Sequence, residues 1–585
     1  MNMIPARRDW TQQTGSDLIA HDCQNLNFWD IDRSIRDLLE LYLSPEAFAH
    51  FAPHLERLGQ LGGGILNELA MTADKHGPVL HHRDRFGRDQ DWVEYHPAYR
   101  RMEDIAYGQF GMHAMSRREG VLGWADIVPP LVKYAFNYLF AQSEFGLLCP
   151  VSATDTCALL IQNYASEELK RRYLPGMLTQ DMDGLLRGAQ FMTEKAGGSD
   201  ISRSALTARR SGDHWELWGD KWFCSCADSE VVLLLARCED APKGNAGLSL
   251  FLMPRTLDDG TRNRYRLVRL KDKLGSRSMA SGEAIMEGVT AFLLGEPGRG
   301  LKQMMDQVNL CRLSHGFRAA GMMRRCLNEA LQVANSRVVF GRRIVDHALA
   351  RRQLLKLILP TEQALSVGSA AAMALANDDV ETLRILTPLV KYRACRDNVK
   401  VATGAMEMRG GNGFIEDWSN AKLVRDAHLG VLWEGTSSVN AIDIVRRAAG
   451  KERSHLALAT DLHARLDTTA IPGQFRGELN VLVDRAVEFV DKVAADPAAE
   501  SSYRKAASSL YHVTSAALMA SEGARLGAAG KDARRLLMAR LVIDHRLERD
   551  DPFRISNAEQ EAEIFDCLQS EDVVSLERVS QLLAG

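Results

Sequence analysis

The sequence lacks the features that would place it in a membrane or in an oxidising compartment. No apolar run in its 585 residues reaches the roughly 18 residues that a bilayer-spanning helix needs. The first 21 residues mix arginines with aspartates and contain no apolar core, so a secretory signal is not predicted. The ten cysteines are scattered, and the nearest pair is Cys224 and Cys226, so neither a zinc site nor a disulfide framework is predicted. We therefore expect a cytoplasmic protein with no membrane span and no bound metal.

The sequence also lacks an excess of charge. Lys and Arg total 72 and Asp and Glu total 76, which gives a net charge of −4 with His neutral. This balance offers no electrostatic argument for binding nucleic acid or an anionic membrane. Hydrophobic residues make up 46% and charged residues 25%, as is usual for globular proteins. Because 585 residues are too many for one core, two to four domains are expected.

The pattern of apolar residues divides the chain into four segments. Residues 1–187 show helical spacing of apolar residues, with a polar stretch at 81–91 that is predicted to be a loop. Residues 188–297 contain short runs of β-branched and aromatic residues between Gly, Asp and Pro, which predict a small antiparallel barrel or sandwich. Residues 298–450 return to the helical period and predict a bundle, and residues 451–585 form a further helical extension.

A glycine-containing segment, QFMTEKAGGSD at residues 190–200, lies where helix gives way to strand. Gly197 and Gly198 allow the backbone to approach a ligand closely, and Thr193 and Ser199 offer hydroxyl groups. Successive backbone N–H groups in such a turn can hold anionic oxygens. An ordinary Gly-Ser-Asp turn has the same composition, and this segment alone favours the ordinary turn.

Two further segments contain residues that suit an active site. Trp222 and Phe223 end a predicted strand, so one ring can pack inward while the other faces a planar ligand; packing of both in the core is the alternative.

Glu434 lies just before a predicted helix, about twenty residues after the GGNGF run at 410–414. Desolvation beside Trp433 would raise its pKa, as a general base requires. An acidic residue that only favours the helix N-terminus is the alternative, and the residue alone leaves both open.

Together these segments resemble the acyl-CoA dehydrogenase family over roughly residues 100–450. The run from Met192 to Asp200 resembles its flavin-binding signature, and RVVFG at 337–341 resembles its R-x-x-F-G element. GGNGF at 410–414 is similar to a second flavin element, and WEGT at 433–436 to the signature around the catalytic glutamate. KAGG at 195–198, LCP at 148–150, residues 85–99 and the extension resemble the AidB branch, named for the bacterial adaptive response to alkylation.

The resemblance implies a fold and an activity. The fold is α+β, with an N-terminal helical domain, a middle β-barrel or sandwich, a C-terminal four-helix bundle and an extra helical domain. The activity is FAD-dependent oxidation of an acyl-CoA thioester to the trans-2-enoyl-CoA, in fatty-acid metabolism. Glu434 would remove the α-proton, and the β-hydride would pass to flavin N5. The family's other position for the base, one residue before Arg312, is here Cys311, which strengthens the assignment to Glu434.

The resemblance also assigns binding residues. Contacts to FAD are implied for Gln190, Met192, Thr193, Ser199, Phe223, Cys224, Ser225, Arg337, Phe340, Glu407, Gly410, Gly411, Thr436 and Ser438. Contacts to the substrate are implied for Ser199, Arg312, Glu434 and Gly435, and the backbone N–H of Glu434 would hold the thioester oxygen together with a flavin ribitol hydroxyl. Phe223 replaces a commoner tryptophan. Glu407 stands where the family often has glutamine, and a carboxylate there would repel a pyrophosphate.

Partners follow from the same resemblance. Arg337 and Phe340 would reach the flavin of a neighbouring subunit, which implies a homo-oligomer, a dimer of dimers in this family. Electron-transfer flavoprotein is the implied acceptor, and an acyl-CoA oxidase that uses O₂ is an alternative.

DNA is a partner to be weighed, because the AidB branch is associated with binding DNA through a basic C-terminal domain. Here residues 451–585 contain 17 Lys and Arg against 22 Asp and Glu, a net charge of −5. Lys531, Arg534 and Arg535 could make one helix face positive. Because a nucleic-acid domain is expected to be basic, a solvated face or a packing domain is favoured. An AidB-like flavoprotein with a DNA-associated protective role and weak dehydrogenase activity is the alternative function.

Overall fold

The computed structural model describes residues 19–548 and 558–584. Helices come first, a β-domain follows, a second set of helices comes next, and a helical extension ends the chain. The predicted α+β fold is therefore confirmed. None of the helices in the described part combines the length and apolarity needed to cross a membrane.

The N-terminal part contains seven α-helices and one hairpin within the described residues. The helices are α1 (Arg33–Tyr42), α2 (Pro45–Gly63), α3 (Ile65–Lys75), α4 (Pro97–Glu103), α5 (Pro130–Ala141), α6 (Leu148–Tyr164) and α7 (Glu167–Met177). Side-chain caps start several of them, because Asp32 accepts the Ile35 N–H and Ser44 accepts the Ala47 N–H. Every residue of α5 from Leu131 onwards is buried, as its apolar sequence predicts.

A hairpin replaces the loop that was predicted at residues 81–91. Strands β1 (Val79–Arg83) and β2 (Asp89–Glu94) pair antiparallel, and the Asp84 carboxylate closes the turn by accepting the N–H groups of Phe86 and Arg88. The loop prediction was wrong because β1 is exposed along most of its length. It therefore lacks the alternation of apolar and polar residues that marks a strand with one buried face.

The middle part is a seven-stranded β-domain. Its strands are β3 (Gly188–Phe191), β4 (Thr207–Ser211), β5 (His214–Ser225), β6 (Val231–Cys238), β7 (Leu248–Pro254), β8 (Tyr265–Leu270) and β9 (Ser281–Leu294). The order β6-β4-β5-β9-β7 returns to β6, so these five strands close into a barrel, while β3 pairs with β6 and β8 with β9. The β3–β6 and β4–β6 pairs are parallel, unlike the antiparallel prediction, because neither pair is joined by a hairpin.

Long helices dominate the third part. They are α8 (Gly300–Ser336), α9 (Ala348–Ala376), α10 (Val380–Arg409), α11 (Ser419–Gly430) and α12 (Ser437–Ile442), with the two-residue strands β10 (Val338–Val339) and β11 (Arg342–Arg343) between α8 and α9. The end of α10 coincides with Gly410, whose φ of +74° suits a residue without a side chain.

The extension packs back onto the rest of the chain. Its helices are α13 (Ser454–Asp467), α14 (Gly473–Ala495), α15 (Tyr503–Ala528), α16 (Arg534–Val542), α17 (Ala558–Gln569) and α18 (Leu576–Ala584). Glu522 of α15 accepts hydrogen bonds from Tyr42 of α1 at 3.0 Å and from Ser366 of α9 at 2.7 Å. The extension is therefore bound to both earlier helical parts through buried polar contacts.

Candidate active site

Glu434 lies in the short turn between α11 and α12. Its φ of +52° is in the left-handed region, which non-glycine residues avoid. Helix α12 begins at Ser437, and its cap is Thr436, whose hydroxyl accepts the Val439 N–H. Glu434 therefore precedes the helix and is outside its first turn, so the structure does not support the alternative of a helix-start anion.

Two buried cations hold this turn by its backbone carbonyls. Arg312 Nε donates to the Glu434 carbonyl at 3.2 Å, and Lys391 Nζ donates to the Gly435 carbonyl at 2.5 Å. Arg312 is itself anchored by an ion pair with Asp443 at 2.7 Å. These contacts stabilise a backbone conformation that costs free energy, and they fix the direction in which the Glu434 side chain leaves the backbone.

The environment of Glu434 suits a proton acceptor. The residue is half-buried, and burial raises the pKa of its carboxyl, while the charges of Arg312, Lys391 and Arg318 oppose that rise. A carboxylate with a raised pKa accepts a proton more readily near neutral pH than an exposed one. The Glu434 backbone N–H has no acceptor among the described residues, so it is free to donate to a ligand oxygen.

Aromatic rings and neutral groups surround the turn. Trp433 stacks on Phe145 with ring centroids 5.8 Å apart, and it meets His315 edge-on at 5.3 Å. Burial holds the pKa of His315 well below its usual value, so this imidazole is neutral. Burial also raises the pKa of the Cys311 thiol well above its usual value. Glu434 is therefore the carboxyl group among these neutral neighbours.

The two predicted flavin segments of the β-domain are joined to each other. The Trp222 N–H donates to the Thr193 carbonyl at 2.8 Å. Beneath them the fully buried Lys221 donates to the Glu194 carboxylate at 2.7 Å, and Glu194 accepts the Ala205 N–H at 2.6 Å. This buried ion pair fixes the loop at 192–199 against the end of β5.

Most of the residues predicted to meet the flavin in these segments have accessible surface. Phe223 is 51% exposed, Ser199 is exposed, and Gln190, Met192, Thr193 and Ser225 are half-buried. Cys224 differs, because its side chain is fully buried inside the barrel and only its backbone can face a ligand. A Cβ at Gly198 would lie 2.8 Å from Thr193 Oγ1, so a larger residue there would displace the Thr193 side chain.

Cys149 connects these segments to Glu434. Its thiol hydrogen-bonds with Ser225 and interacts with the Glu434 charge, and burial raises its pKa to about 11. The start of α6, the end of β5 and the turn at Glu434 therefore meet at one place.

A second group of predicted flavin residues lies where α8 and α10 end. Phe340 is 98% exposed with a φ of +49°, and Glu407 is exposed as well. Ser438 is also exposed, but it lies in α12 close to Glu434. The Arg337 guanidinium lies beside Gly410 and has no ion-pair partner in the described part of the chain. A cavity of about 300 Å³ lies here, lined by Ile19, Ala20, Val333, Arg337, Arg409, Gly411 and Asn412. An unpaired cation beside glycines suits a phosphate-bearing ligand.

The predicted flavin residues of one chain thus form two separate groups. Among the described residues, no hydrogen bond, ion pair or ring contact joins the group around Arg337 to residues 190–225.

Three residues of the site had no signal in the sequence. Lys391 and Arg318 lie inside long helices, where a basic residue ordinarily faces solvent. Asn440 Nδ2 donates to the Gly435 carbonyl at 2.7 Å and to the Thr436 carbonyl at 2.9 Å. Only the packing of the helices shows that these side chains face the turn.

The basic cluster of the extension is used inside the molecule. Its ion pairs are Lys531 with Glu40, Arg534 with Asp532, Arg535 with Glu362 and Glu522, and Arg540 with Glu478 and Asp544. Arg535 is almost completely buried. The charges that could have made one helix face positive are therefore largely neutralised within the chain.

Comparison with known proteins agrees with this organisation. Family models match at residues 19–184 (adaptive response protein AidB, N-terminal domain), 189–289 (acyl-CoA dehydrogenase, middle domain) and 298–449 (acyl-CoA dehydrogenase, C-terminal domain). Putative acyl-CoA dehydrogenase AidB of Escherichia coli is 33% identical over 405 residues, which are 66% of this chain and 72% of that protein. Acyl-CoA dehydrogenase family member 11 of Caenorhabditis elegans is 29% identical over 501 residues, 81% of this chain and 79% of that protein.

A solved structure extends the likeness to nearly the whole chain. Caenorhabditis elegans ACDH-11 in complex with C11-CoA matches with a TM-score of 0.85 at 25% identity, covering 94% of this chain and 96% of that one.

The fold and the site therefore define a flavin-dependent oxidoreductase. The chain belongs to the acyl-CoA dehydrogenase family, whose members are FAD-dependent, and its cofactor is FAD. The residues present fit this group. Phe223 offers an exposed ring at the end of β5, Gly198 lets the loop lie close, and Arg337 is an unpaired cation for a phosphate.

Proposed function

We propose that this chain is an acyl-CoA dehydrogenase that oxidises an acyl-CoA thioester to the trans-2-enoyl-CoA, with Glu434 as the base. The observation that carries the proposal is the turn at Glu434. It combines a carboxyl of raised pKa, a free backbone N–H and a strained backbone held by Arg312 and Lys391.

The chemistry requires two contributions from this turn. The α-proton of a thioester is weakly acidic, so both a base and a donor to the carbonyl oxygen are needed. The Glu434 carboxylate takes the α-proton, and the Glu434 N–H donates to the thioester oxygen as negative charge develops there. Arg312 and Lys391 donate to the backbone carbonyls of Glu434 and Gly435, and they thereby hold the N–H group and the carboxylate of Glu434 in a fixed relation to the substrate. FAD, when bound, accepts the hydride that leaves the β-carbon.

Substrate and cofactor contacts follow from the same placement. The C11-CoA complex of the Caenorhabditis elegans protein supports an acyl-CoA as substrate. We propose Arg312, Gly435 and Ser199 as its contacts. Residues 190–199 and 223–225 hold the FAD of their own chain, and Thr436 and Ser438 lie at the start of the helix that follows Glu434.

We assign Arg337, Phe340, Glu407, Gly410 and Gly411 to the FAD of a second copy. Their separation from residues 190–225 and the 98% exposure of Phe340 support this assignment. The protein is then a homo-oligomer, and a dimer of dimers in which electrons pass to electron-transfer flavoprotein is the arrangement we favour. Its ten cysteines are all free, which suits the cytoplasm.

Anaerobic addition of acyl-CoAs of increasing chain length to the FAD-loaded protein tests the proposal. We expect bleaching of the flavin and formation of one equivalent of the enoyl-CoA with at least one of them. Persistent oxidised flavin with every thioester would overturn the proposed activity. Peroxide release at a rate that matches turnover in air would instead identify an oxidase.

A DNA-associated role is the second candidate, because the AidB N-terminal model matches residues 19–184. Intramolecular pairing of the basic cluster in the extension argues against it. We expect no mobility shift of duplex DNA at low ionic strength. A shift that weakens steeply as salt is raised would favour the DNA role.

A further inference from the structure

Arg318 is a fully buried cation without a carboxylate partner. It is 1% exposed on α8, and no ion pair joins it to any described residue. Seven other arginines are buried in the described part of the chain, and each pairs with an Asp or Glu. They are Arg187, Arg312, Arg324, Arg325, Arg409, Arg425 and Arg535. Because an isolated charge is costly to bury, the exception at Arg318 indicates that a counter-charge is missing.

The hydrogen bonds of Arg318 leave one arm of the guanidinium unused. Nε lies 3.4 Å from the Ser314 carbonyl, and Nη2 lies 2.9 Å from Nδ1 and 3.3 Å from Nε2 of His315. The Cys311 carbonyl, which can only accept, lies 2.8 Å from His315 Nδ1. Neutral His315 therefore carries its proton on Nδ1, and Nε2 accepts from Arg318. Nη1 is buried and has no partner among the described residues.

The guanidinium belongs to the same centre as Glu434. Its carbon lies 5.6 Å from the centroid of the Phe145 ring, and Trp433, the neighbour of Glu434, stacks on that ring. Arg318 also lowers the pKa of Glu434 against the effect of burial. The Glu434 carboxylate acts on Arg318 through its charge but forms no ion pair with it. Burial keeps the nearby thiols of Cys149 and Cys311 neutral, so no anion of the described residues pairs directly with the guanidinium.

The spacing along α8 gives the depth of this cation. Cys311, Ser314 and Arg318 share one face of the helix, because they are three, four and seven residues apart. Seven residues correspond to about 10 Å along the axis. Arginine side chains in helices reach back toward the N-terminus, as the contact with the Ser314 carbonyl shows here. The guanidinium therefore lies about one to two helical turns beyond Cys311 along α8, in the direction of the C-terminal end of the helix.

We propose that Arg318 binds a carboxylate at the far end of the acyl chain, so that the preferred substrate is a dicarboxylyl-CoA of short or medium length. This inference rests on the proposed function. The distal carboxylate supplies the missing counter-charge and accepts from Nη1. It would complete an ion pair of the kind that each of the seven other buried arginines already makes. A methyl-terminated chain of the same length leaves the cation buried and unpaired, and sites built for a polar group reject ligands that lack it.

The test compares thioesters of equal carbon number with and without a terminal carboxylate. Glutaryl-CoA is paired with valeryl-CoA, adipyl-CoA with hexanoyl-CoA, and suberyl-CoA with octanoyl-CoA, and kcat/KM is measured by anaerobic flavin reduction. We expect wild type to prefer the dicarboxylyl member of at least one pair by about 100-fold. Equal rates, or a preference for the methyl-terminated member in every pair, would overturn the inference and leave the proposed function intact. Absence of reduction with all six thioesters, when a longer acyl-CoA does reduce the flavin, would overturn the inference alone. Absence of reduction with every thioester would overturn both.

Variants separate recognition from structural support. In Arg318→Met we expect the ratio of the two kcat/KM values to fall by at least about tenfold, since the charge-assisted contact is lost. Lys302→Met removes an exposed cation from the same helix and should leave the ratio unchanged. If Arg318 had only a structural role, Arg318→Met would lower kcat/KM for both thioesters of a pair by the same factor, and the ratio of the two values would stay constant. That result would contradict the proposal.

Discussion

Glu434 is positioned through its backbone rather than through its side chain. Arg312 and Lys391 bind the carbonyls of residues 434 and 435, whereas the carboxylate accepts no hydrogen bond from the described residues. Hydrogen bonds to a carboxylate stabilise its ionised form and lower its pKa. Because Glu434 receives none, it is a stronger proton acceptor than a hydrogen-bonded carboxylate would be. The strained φ is the cost of this arrangement, and the two buried cations offset it.

The pH dependence of the reaction follows from these charges. Glu434 acts only when ionised, so kcat/KM must fall as pH drops through its raised pKa. Lys391 stabilises the ionised form, and Lys391→Met should therefore raise the pKa of Glu434 further and move the acid limb to higher pH. Lys400→Met, which removes an exposed lysine of the same helix, is the control. An acid limb in Lys391→Met that coincides with wild type, or lies at lower pH, would contradict this account.

Sequence reasoning proposed Glu434 as the base but gave no sign of the groups that hold its turn. Glu434 is recognised because four motifs occur in order, and each resembles an element of one family. Lys391 and Arg318 have no such context, since a basic residue in a long helical pattern gives no sign of which face is buried. Lys391 contacts Gly435, which is 44 positions away, and Arg318 contacts the ring of Phe145, which lies in a different part of the chain. Local sequence patterns do not encode such contacts.

At the scale of single elements, the loop at 192–199 depends on one buried ion pair. Lys221 is fully buried and donates to Glu194, whose pKa is held below its usual value by that charge against the effect of burial. Lys221→Met would leave the Glu194 carboxylate buried and unpaired, at a cost of about 3–5 kcal/mol. We expect a lower melting temperature and weaker FAD binding, measured by thermal unfolding and fluorescence titration.

The same loop provides a control for that prediction. Lys195 pairs with Asp220 at the surface, where an ion pair contributes little. Lys195→Met should leave the melting temperature close to wild type. Equal losses in the two variants, or none in Lys221→Met, would show that the buried pair does not support the loop.

The strands of the β-domain could be predicted, but their arrangement could not. Runs of β-branched and aromatic residues, separated by Gly, Asp and Pro, predicted the strands that the structure shows as β5 to β9. β7 pairs with β6 to close the barrel, and β3 and β4 pair with β6 in parallel. These pairings depend on the three-dimensional path of the chain, which local sequence patterns do not show. The hairpin at 79–94 was missed because an exposed strand pairs through its backbone and leaves little mark in its side chains.

At the scale of the whole molecule, one exposed ring is the feature that points to assembly. Phe340 is 98% exposed at a positive φ, beside the exposed Val338. Phe340→Asp should reduce the number of subunits in the oligomer, measured by light scattering, and should weaken FAD binding, measured by flavin release. Phe86→Asp, at the tip of the hairpin, replaces another exposed phenylalanine and should change neither. An unchanged oligomer in Phe340→Asp would remove Phe340 from the interface.

The extension contributes to the architecture rather than standing apart from it. Arg535 reaches from α16 to Glu362 of α9 and to Glu522 of α15, and Arg33 of α1 pairs with Asp532. These contacts tie three parts of the chain together at buried positions. The sequence indicated a helical extension and left its purpose open, because the partners that join it to the earlier parts are distant in the sequence. Arg535 pairs with Glu362 of the third part, and Asp532 pairs with Arg33 of the first part.

The most direct test of the central claim is exchange of the substrate's α-proton with solvent. In D₂O, the wild-type protein should incorporate deuterium at the α-carbon of a bound acyl-CoA and reduce its flavin under anaerobic conditions. Glu434→Gln, with FAD still bound, should slow both by about 10²–10⁴-fold, because amide nitrogen and oxygen are poor proton acceptors. Exchange and flavin reduction at wild-type rates in Glu434→Gln would show that another group is the base.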